Sequence, residues 1–211
     1  MSKKTILPIL FFMVVVSARA QRFEGGFLAG FNASQVEGAS LNGRALNGFH
    51  KPGVLAGFYV QTELAPAVFA GMEIKYSQKG ARNKINPKNP EPEKYIMRLG
   101  YIDIPVYGGF RTGNLGSVIA GVSAGYLIHG KEFNEYGELP EEDRNAFNNL
   151  DLQPFIGFKF DFLEQVSADL RFALSVLPIR GQPGEDATAY YWQNNQFNNV
   201  ISLALYYRID R

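Results

Sequence analysis

Short segments in which every second side chain is apolar recur along this chain from Phe23 to Ile209, and they leave it few ways to fold. The clearest runs from Val166 to Ile179. Val166, Ala168, Leu170, Phe172, Leu174 and Val176 fall on one face, and Ser167, Asp169, Arg171, Ala173 and Ser175 on the other. A helix would scatter both sets around its circumference, whereas a strand separates them cleanly. The preceding segment repeats the pattern, with Leu152, Ile156, Phe158, Phe160 and Phe162 set against Gln153, Gly157, Lys159 and Asp161. Only Leu163, Glu164 and Gln165 join the two, which is room for a hairpin turn.

The same reading gives about eight strands in all. The first, near Phe23 to Ser34, sets Phe27, Ala29, Phe31 and Ala33 against Leu28, Gly30, Asn32 and Ser34. The second, Val54 to Leu64, carries Val54, Ala56, Phe58 and Val60 opposite Gly57, Tyr59, Gln61 and Glu63. After Ala65-Pro66-Ala67 the third shows Val68, Ala70, Met72, Ile74 and Tyr76 against Gly71, Glu73, Lys75 and Ser77. The fourth, Tyr95 to Phe110, has Ile102, Ile104 and Val106 opposite Asp103, Pro105 and Tyr107. Continuing its register upward places Arg98 on the apolar side, a conflict that a bulge near Gly100 or emergence above the bilayer would resolve. The fifth runs from Val118 to His129 and the eighth from Val200 to Ile209. Connections around Pro66, Gly113-Asn114 and Glu164 are short. Those over Gln35 to Pro52, Gly80 to Lys94, Gly130 to Asn149 and Arg180 to Asn199 are long, and the two kinds strictly alternate. That sorting predicts an all-β, eight-stranded antiparallel up-and-down transmembrane β-barrel, with both termini and the tight turns in the periplasm and the long loops outside.

The first twenty residues read differently. Lys3 and Lys4 precede an apolar run from Ile6 to Val16, and Ala18-Arg19-Ala20 offers a small-x-small cleavage site, so residues 1–20 are expected to be a signal peptide and 21–211 the barrel domain. Removing Lys3, Lys4 and Arg19 leaves 18 basic residues against 20 acidic, a net charge of −2, which argues against a nucleic-acid partner. The absence of cysteine removes disulfides, thiolate nucleophiles and Cys-based metal sites.

Energetics decides which face meets lipid. A Lys or Arg at the bilayer midplane on the outer wall costs roughly 2–4 kcal/mol, so the charged faces must point inward. Tyr76 and Tyr126 then lie toward the outer ends of their strands, and Phe110, Phe162 and Tyr207 toward the periplasmic ends, as two aromatic girdles. The expected lumen network comprises Glu24, Glu63, Glu73, Asp103, Asp161 and Asp169, balanced by Lys75, Lys159, Arg171 and Arg208. An eight-stranded barrel is just wide enough inside to be filled by side chains, and buried charges must be paired. A plugged, ion-paired interior follows.

On the Gly25-Gly26-Phe27-Leu28-Ala29-Gly30-Phe31-Asn32-Ala33-Ser34 strand, the Gly53 to Gly57 opening, Glu73-Ile74-Lys75-Tyr76-Ser77-Gln78-Lys79-Gly80 and Tyr101-Ile102-Asp103-Ile104-Pro105, the chain resembles the PorT-like outer-membrane β-barrel protein family of Gram-negative bacteria. The resemblance implies an eight-stranded barrel and supplies no catalytic residues. One namesake branch of that family is tied to protein secretion.

No Gly-x-Ser-x-Gly, His-Glu-x-x-His or phosphate loop is present. His50 lies in the first long loop, and His129 with Glu132 is the one constellation near the outer rim to test for catalysis. No metal site and no cofactor are expected. The loops suit contact better: Tyr190, Tyr191 and Trp192 precede an Asn/Gln-rich run, a composition suited to protein or sugar surfaces. The third long loop is acidic, through Glu132, Glu135, Glu138, Glu141, Glu142 and Asp143, with Pro140 placed to start a short helix. The second is basic, through Arg82, Lys84, Lys88 and Lys94, and suits either lipopolysaccharide phosphates or the acidic loop. Other expected partners are outer-membrane lipid, the outer-membrane assembly machinery and an extracellular or envelope protein. The leading expectation is a non-enzymatic outer-membrane barrel acting through its loops. The alternatives are a narrow channel or secretion accessory, and a soluble lipocalin-like barrel with an apolar interior.

Overall fold

The computed structural model describes residues 23–41, 44–46, 48–83, 95–113, 116–140, 142, 145–181 and 195–209. The expected signal peptide lies outside the described residues. Eight long strands carry the architecture: β1 (Phe23–Glu37), β2 (Lys51–Ala65), β3 (Val68–Lys79), β4 (Ile96–Arg111), β5 (Gly116–Asn134), β6 (Leu150–Asp161), β7 (Val166–Leu174) and β8 (Asn195–Ile209). Each pairs antiparallel with the next, and β8 returns to pair with β1, so the sheet closes on itself.

The register sets the barrel's shape. Following partners around the ring from Glu24 leads through Gln61, Gly71, Tyr107, Gly121, Phe155, Ala173 and Val200 to Ser34, ten residues further along β1. That stagger forces the strands to tilt against the barrel axis, as closure requires. Eight strands enclose a space that side chains can fill.

The alternation read from sequence is the inside–outside division. Phe31, Phe58, Ile74, Ile104, Val122, Ile156, Leu170 and Leu205 are exposed on the outer wall, while the polar partners between them are buried. A lipocalin arrangement, with apolar residues inside, is thereby reversed. Val106 stands four residues from Phe110 and four from Ile102, and Ile102 forms one row with Tyr76 and Tyr126, so it occupies the middle of the apolar band. Val106→Arg is expected to cost about 2–4 kcal/mol in urea unfolding from lipid vesicles, with Val106→Leu costing less than about 1.5 kcal/mol. Equal stability of the arginine variant would place that wall out of lipid.

Most strands run further at their long-loop ends than expected. β1 continues to Glu37, β2 begins at Lys51, β5 extends to Asn134 and β8 starts at Asn195. Backbone pairing needs no apolar outer face once the strand has left the bilayer, so the alternation fades before the ladder does. By contrast β7 stops at Leu174 rather than Ile179. The chain bends through Pro178, which has no N–H to donate, and Ile179 turns fully inward. Short two-residue strands follow beyond the ring, with Gly137–Glu138 against β5 and Arg180–Gly181 against β8.

The irregular fourth strand resolves in a specific way. The ladder shifts between Gly100 and Tyr101, whose partners are His129 and Leu127, so β5 carries the extra residue Ile128. The alternation of β4 itself is unbroken, and Arg98 remains outward and exposed. It lies four residues beyond Ile102, toward the long-loop end.

Candidate functional site

The interior is the chemically richest part of the molecule. Arg171 on β7 sits near its centre and is almost fully buried. Its guanidinium forks onto Glu73 across the lumen, with Nη1 and Nη2 donating at 3.1 and 2.5 Å. Nε and Nη2 donate to Asp169 at 2.8 and 2.9 Å. Nη2 also donates to the Tyr206 hydroxyl at 2.8 Å, and that hydroxyl donates to Glu73 at 2.8 Å. Lys75 completes the cluster, 3.0 Å from Glu73. The aromatic rings of Tyr107 and Phe155 lie 4.9 and 4.8 Å from the guanidinium carbon. Planar, bidentate pairing of this kind is what makes a buried charge tolerable.

A second cluster lies on the long-loop side. Lys79 Nζ reaches Asp103 at 3.0 Å, Asp151 at 3.4 Å and Gln153 at 2.8 Å, and stands 4.6 Å from the centre of the Tyr101 ring. Asp151 accepts further bonds from Ser175 at 2.5 Å and Asn198 at 3.0 Å. Between the clusters lies a gap of about 20 Å³, bordered by Ser77, Ser123, Gln153 and Arg171. That is room for about one water molecule.

Beyond the second cluster the loops close the mouth. Val36, Ala39, Leu46, Ala81, Met97, Leu99, Tyr101 and Ile179 form a buried apolar group, with Tyr95, Leu127 and Phe147 packed against it. A polar clasp ties these loops together. Arg180 donates to both oxygens of Glu132 at 2.9 Å and to Gln196 at 2.7 Å, and it lies 4.6 Å from the Phe147 ring; Tyr95 also bonds Glu132. Burial first, then the Glu132 carboxylate, holds the Tyr95 phenol above its ordinary pKa. Burial opposes the Arg180 charge, but Glu132 and Tyr95 outweigh it and keep that group above its ordinary value.

The sequence-based network therefore divides. Glu73, Lys75, Asp103, Lys159, Asp169 and Arg171 are buried in the lumen. Lys159 donates to Gln61 at 3.0 Å and faces the Tyr206 ring at 4.7 Å. Glu24 and Arg208 are half-buried at the short-turn end of the barrel, 3.6 Å apart. Glu63 and Asp161 do not join. Both have the inward parity, but they stand at the ends of their strands, where solvent reaches them. Glu63 pairs with Arg111 at 2.6 Å on the rim, and Asp161 borders a small gap beside Lys159 and Arg208. Lys79, Asp151, Tyr101, Tyr206 and Arg180 join the interior without having been expected there, and Glu132, expected in the acidic loop beside His129, pairs with Arg180 instead.

The one catalytic constellation also comes apart. Glu132 points inward to Arg180, whereas His129 is exposed on the outer wall, its ring stacked 6.2 Å from that of Tyr76. Among the described residues no group of His, Asp or Glu is placed to hold a metal ion. Tyr190, Tyr191, Trp192, Lys84, Lys88, Lys94, Glu141 and Asp143 lie outside the described residues.

Residues 17–179 match the outer membrane protein beta-barrel domain family, and the chain belongs to it. This is an outer-membrane β-barrel protein, located in the outer membrane. Among solved structures, Ail, the attachment invasion locus protein of Yersinia pestis, in complex with the heparin analogue sucrose octasulfate, is similar at 15% identity and a TM-score of 0.51, covering 89% of this chain and 99% of that one. Neisserial surface protein A is similar at 11% identity and a TM-score of 0.49, covering 90% and 100%. No curated protein sequence matches the chain.

Proposed function

We propose that this protein is a non-enzymatic, non-conducting outer-membrane barrel that acts as a structural and interaction module through its outer loops. The observation that carries the reading is the stack of closures along one axis. Arg171 joins Glu73 and Asp169 across the lumen, Lys79 joins Asp103 and Asp151 above them, and an apolar loop core lies above both. A pore would need a continuous wet path, and salt-bridged side chains filling a narrow barrel oppose one. With the interior committed to holding the wall together, recognition falls to the loops. The Tyr190-Tyr191-Trp192 segment is the contact candidate, toward an extracellular or envelope protein, and lipopolysaccharide and the assembly machinery are the envelope partners. Within the family we read the chain as PorT-like on its Glu73–Gly80 and Tyr101–Pro105 motifs, without assigning it a secretion role.

Planar-bilayer recording of the refolded full chain tests this directly. Insertion without steady conductance steps is the expected result. Reproducible steps of open-pore size would replace the reading with the narrow-channel alternative.

A further inference from the structure

The outer wall near the tops of β3, β4 and β5 carries an arrangement that neither the barrel nor its interior requires. Arg98 and Lys131 are direct ladder partners, and both side chains are exposed on the outside. Arg82 bridges to Ile96, two residues along from Arg98, and so stands beside the pair. Like charges set opposite one another in a ladder weaken it, so this grouping lacks a structural rationale of its own. Among the described residues the opposing charge is slight. Lys131 meets Glu138 at 3.0 Å in an exposed pair, and the Arg98 guanidinium faces the Phe133 ring at 4.7 Å.

What lies directly beneath the cations is equally specific. The His129 ring lies over Gly100 and stacks on Tyr76 at an interplanar angle of 25°. A Cβ at Gly100 would fall 2.1 Å from that ring, so glycine is what allows the ring to lie flat there. Below this shelf the wall is purely apolar through Ile102, Ile104, Tyr126 and Val122. From bottom to top the surface offers an apolar wall, an aromatic shelf and a group of cations. That order matches acyl chains, an interface and phosphate groups in an amphiphile standing in the outer leaflet.

We propose that Arg98 and Lys131, with Arg82 beside them, bind the phosphates of a lipopolysaccharide-type anionic glycolipid in the outer leaflet, with the Tyr76–His129 shelf against its upper acyl region. The assignment rests on the long loops facing outward. Arginine is the suited partner, because its planar fork matches phosphate oxygens, and an anion between Arg98 and Lys131 turns their mutual repulsion into shared attraction.

The test uses the full chain refolded in uncharged detergent and titrated with bis-phosphorylated lipid A, dephosphorylated lipid A and inorganic phosphate. Phosphorylated lipid A should bind, and the Arg98→Gln/Lys131→Gln double variant should bind it roughly ten- to a hundredfold more weakly. The double variant should still show heat-modifiable gel mobility, since both side chains are exposed. Equal affinity of wild type and variant overturns the site, and so does equal binding of dephosphorylated lipid A. Inorganic phosphate bound as tightly as lipid A would mark a free-anion site and also overturn it. Orientation is checked separately by labelling Tyr136→Cys on intact cells with a membrane-impermeant maleimide. Labelling is expected. Its absence would overturn the outward direction of the loops, and the lipid site with it, whereas labelling together with indifferent lipid A binding would remove the site alone.

Discussion

Replacing Arg171 with methionine should cost the barrel about 3–5 kcal/mol, the range found when one partner of a buried ion pair is removed. The side chain volume is nearly kept, so the loss is electrostatic rather than a cavity. Asp169 loses its guanidinium partner, Glu73 keeps only Lys75 and Tyr206, and both carboxylates remain buried in the lumen. The measurement is urea unfolding from lipid vesicles, followed by the heat-dependent gel shift. Adding Asp169→Asn should recover much of the loss, because the carboxylate left without its partner is then neutral, while Glu73 keeps Lys75. A methionine variant as stable as the parent would mean that water solvates these carboxylates, and the interior would then be open rather than filled.

Lys79→Met is the companion case, with an expected loss of about 3–5 kcal/mol in the same assay. Lys79 is the cation that joins Asp103 and Asp151, one from β4 and one from β6. Without it two carboxylates share a site lined by Tyr101, Gln153, Ser175 and Asn198, and Lys79→Met with Asp103→Asn should be more stable than Lys79→Met alone. Lys75 and Asp103 are ladder partners, but no hydrogen bond or ion pair joins the two clusters among the described residues, so the losses from Arg171→Met and Lys79→Met should add if each remains local. Strong coupling between them would show that they form one network.

How far the fold could be read from sequence depended on where the bilayer applies its penalty. Between the aromatic girdles every outward position must be apolar, and there the alternation located strands, faces and short turns correctly. Above the girdles the penalty disappears, so the tops of β1, β5 and β8 carried no alternation to read. The same parity that placed Lys75 inward also reaches Lys79 through Ser77, and from Gln153 it reaches Asp151. Both lie at the edge of the stretch over which the outward positions are apolar. Parity says nothing of height, which is why Glu63 and Asp161 were grouped with the lumen although they stand at its ends. It also separates His129 from Glu132, since residues three apart on a strand face opposite ways. The apolar core of the mouth draws Val36, Ala39, Leu46, Met97 and Ile179 from four stretches of chain without any common period. Nothing local in the sequence announces such a cluster.

The most direct test of the filled interior uses the fact that the chain contains no cysteine. Ser123 is buried beside the gap between the two ionic clusters. In a Ser123→Cys variant refolded in vesicles, the thiol should resist a charged, membrane-impermeant methanethiosulfonate reagent added from either side and should react once the protein is boiled in detergent. Rapid labelling of the folded barrel would reveal a continuous aqueous path through its centre and contradict the account.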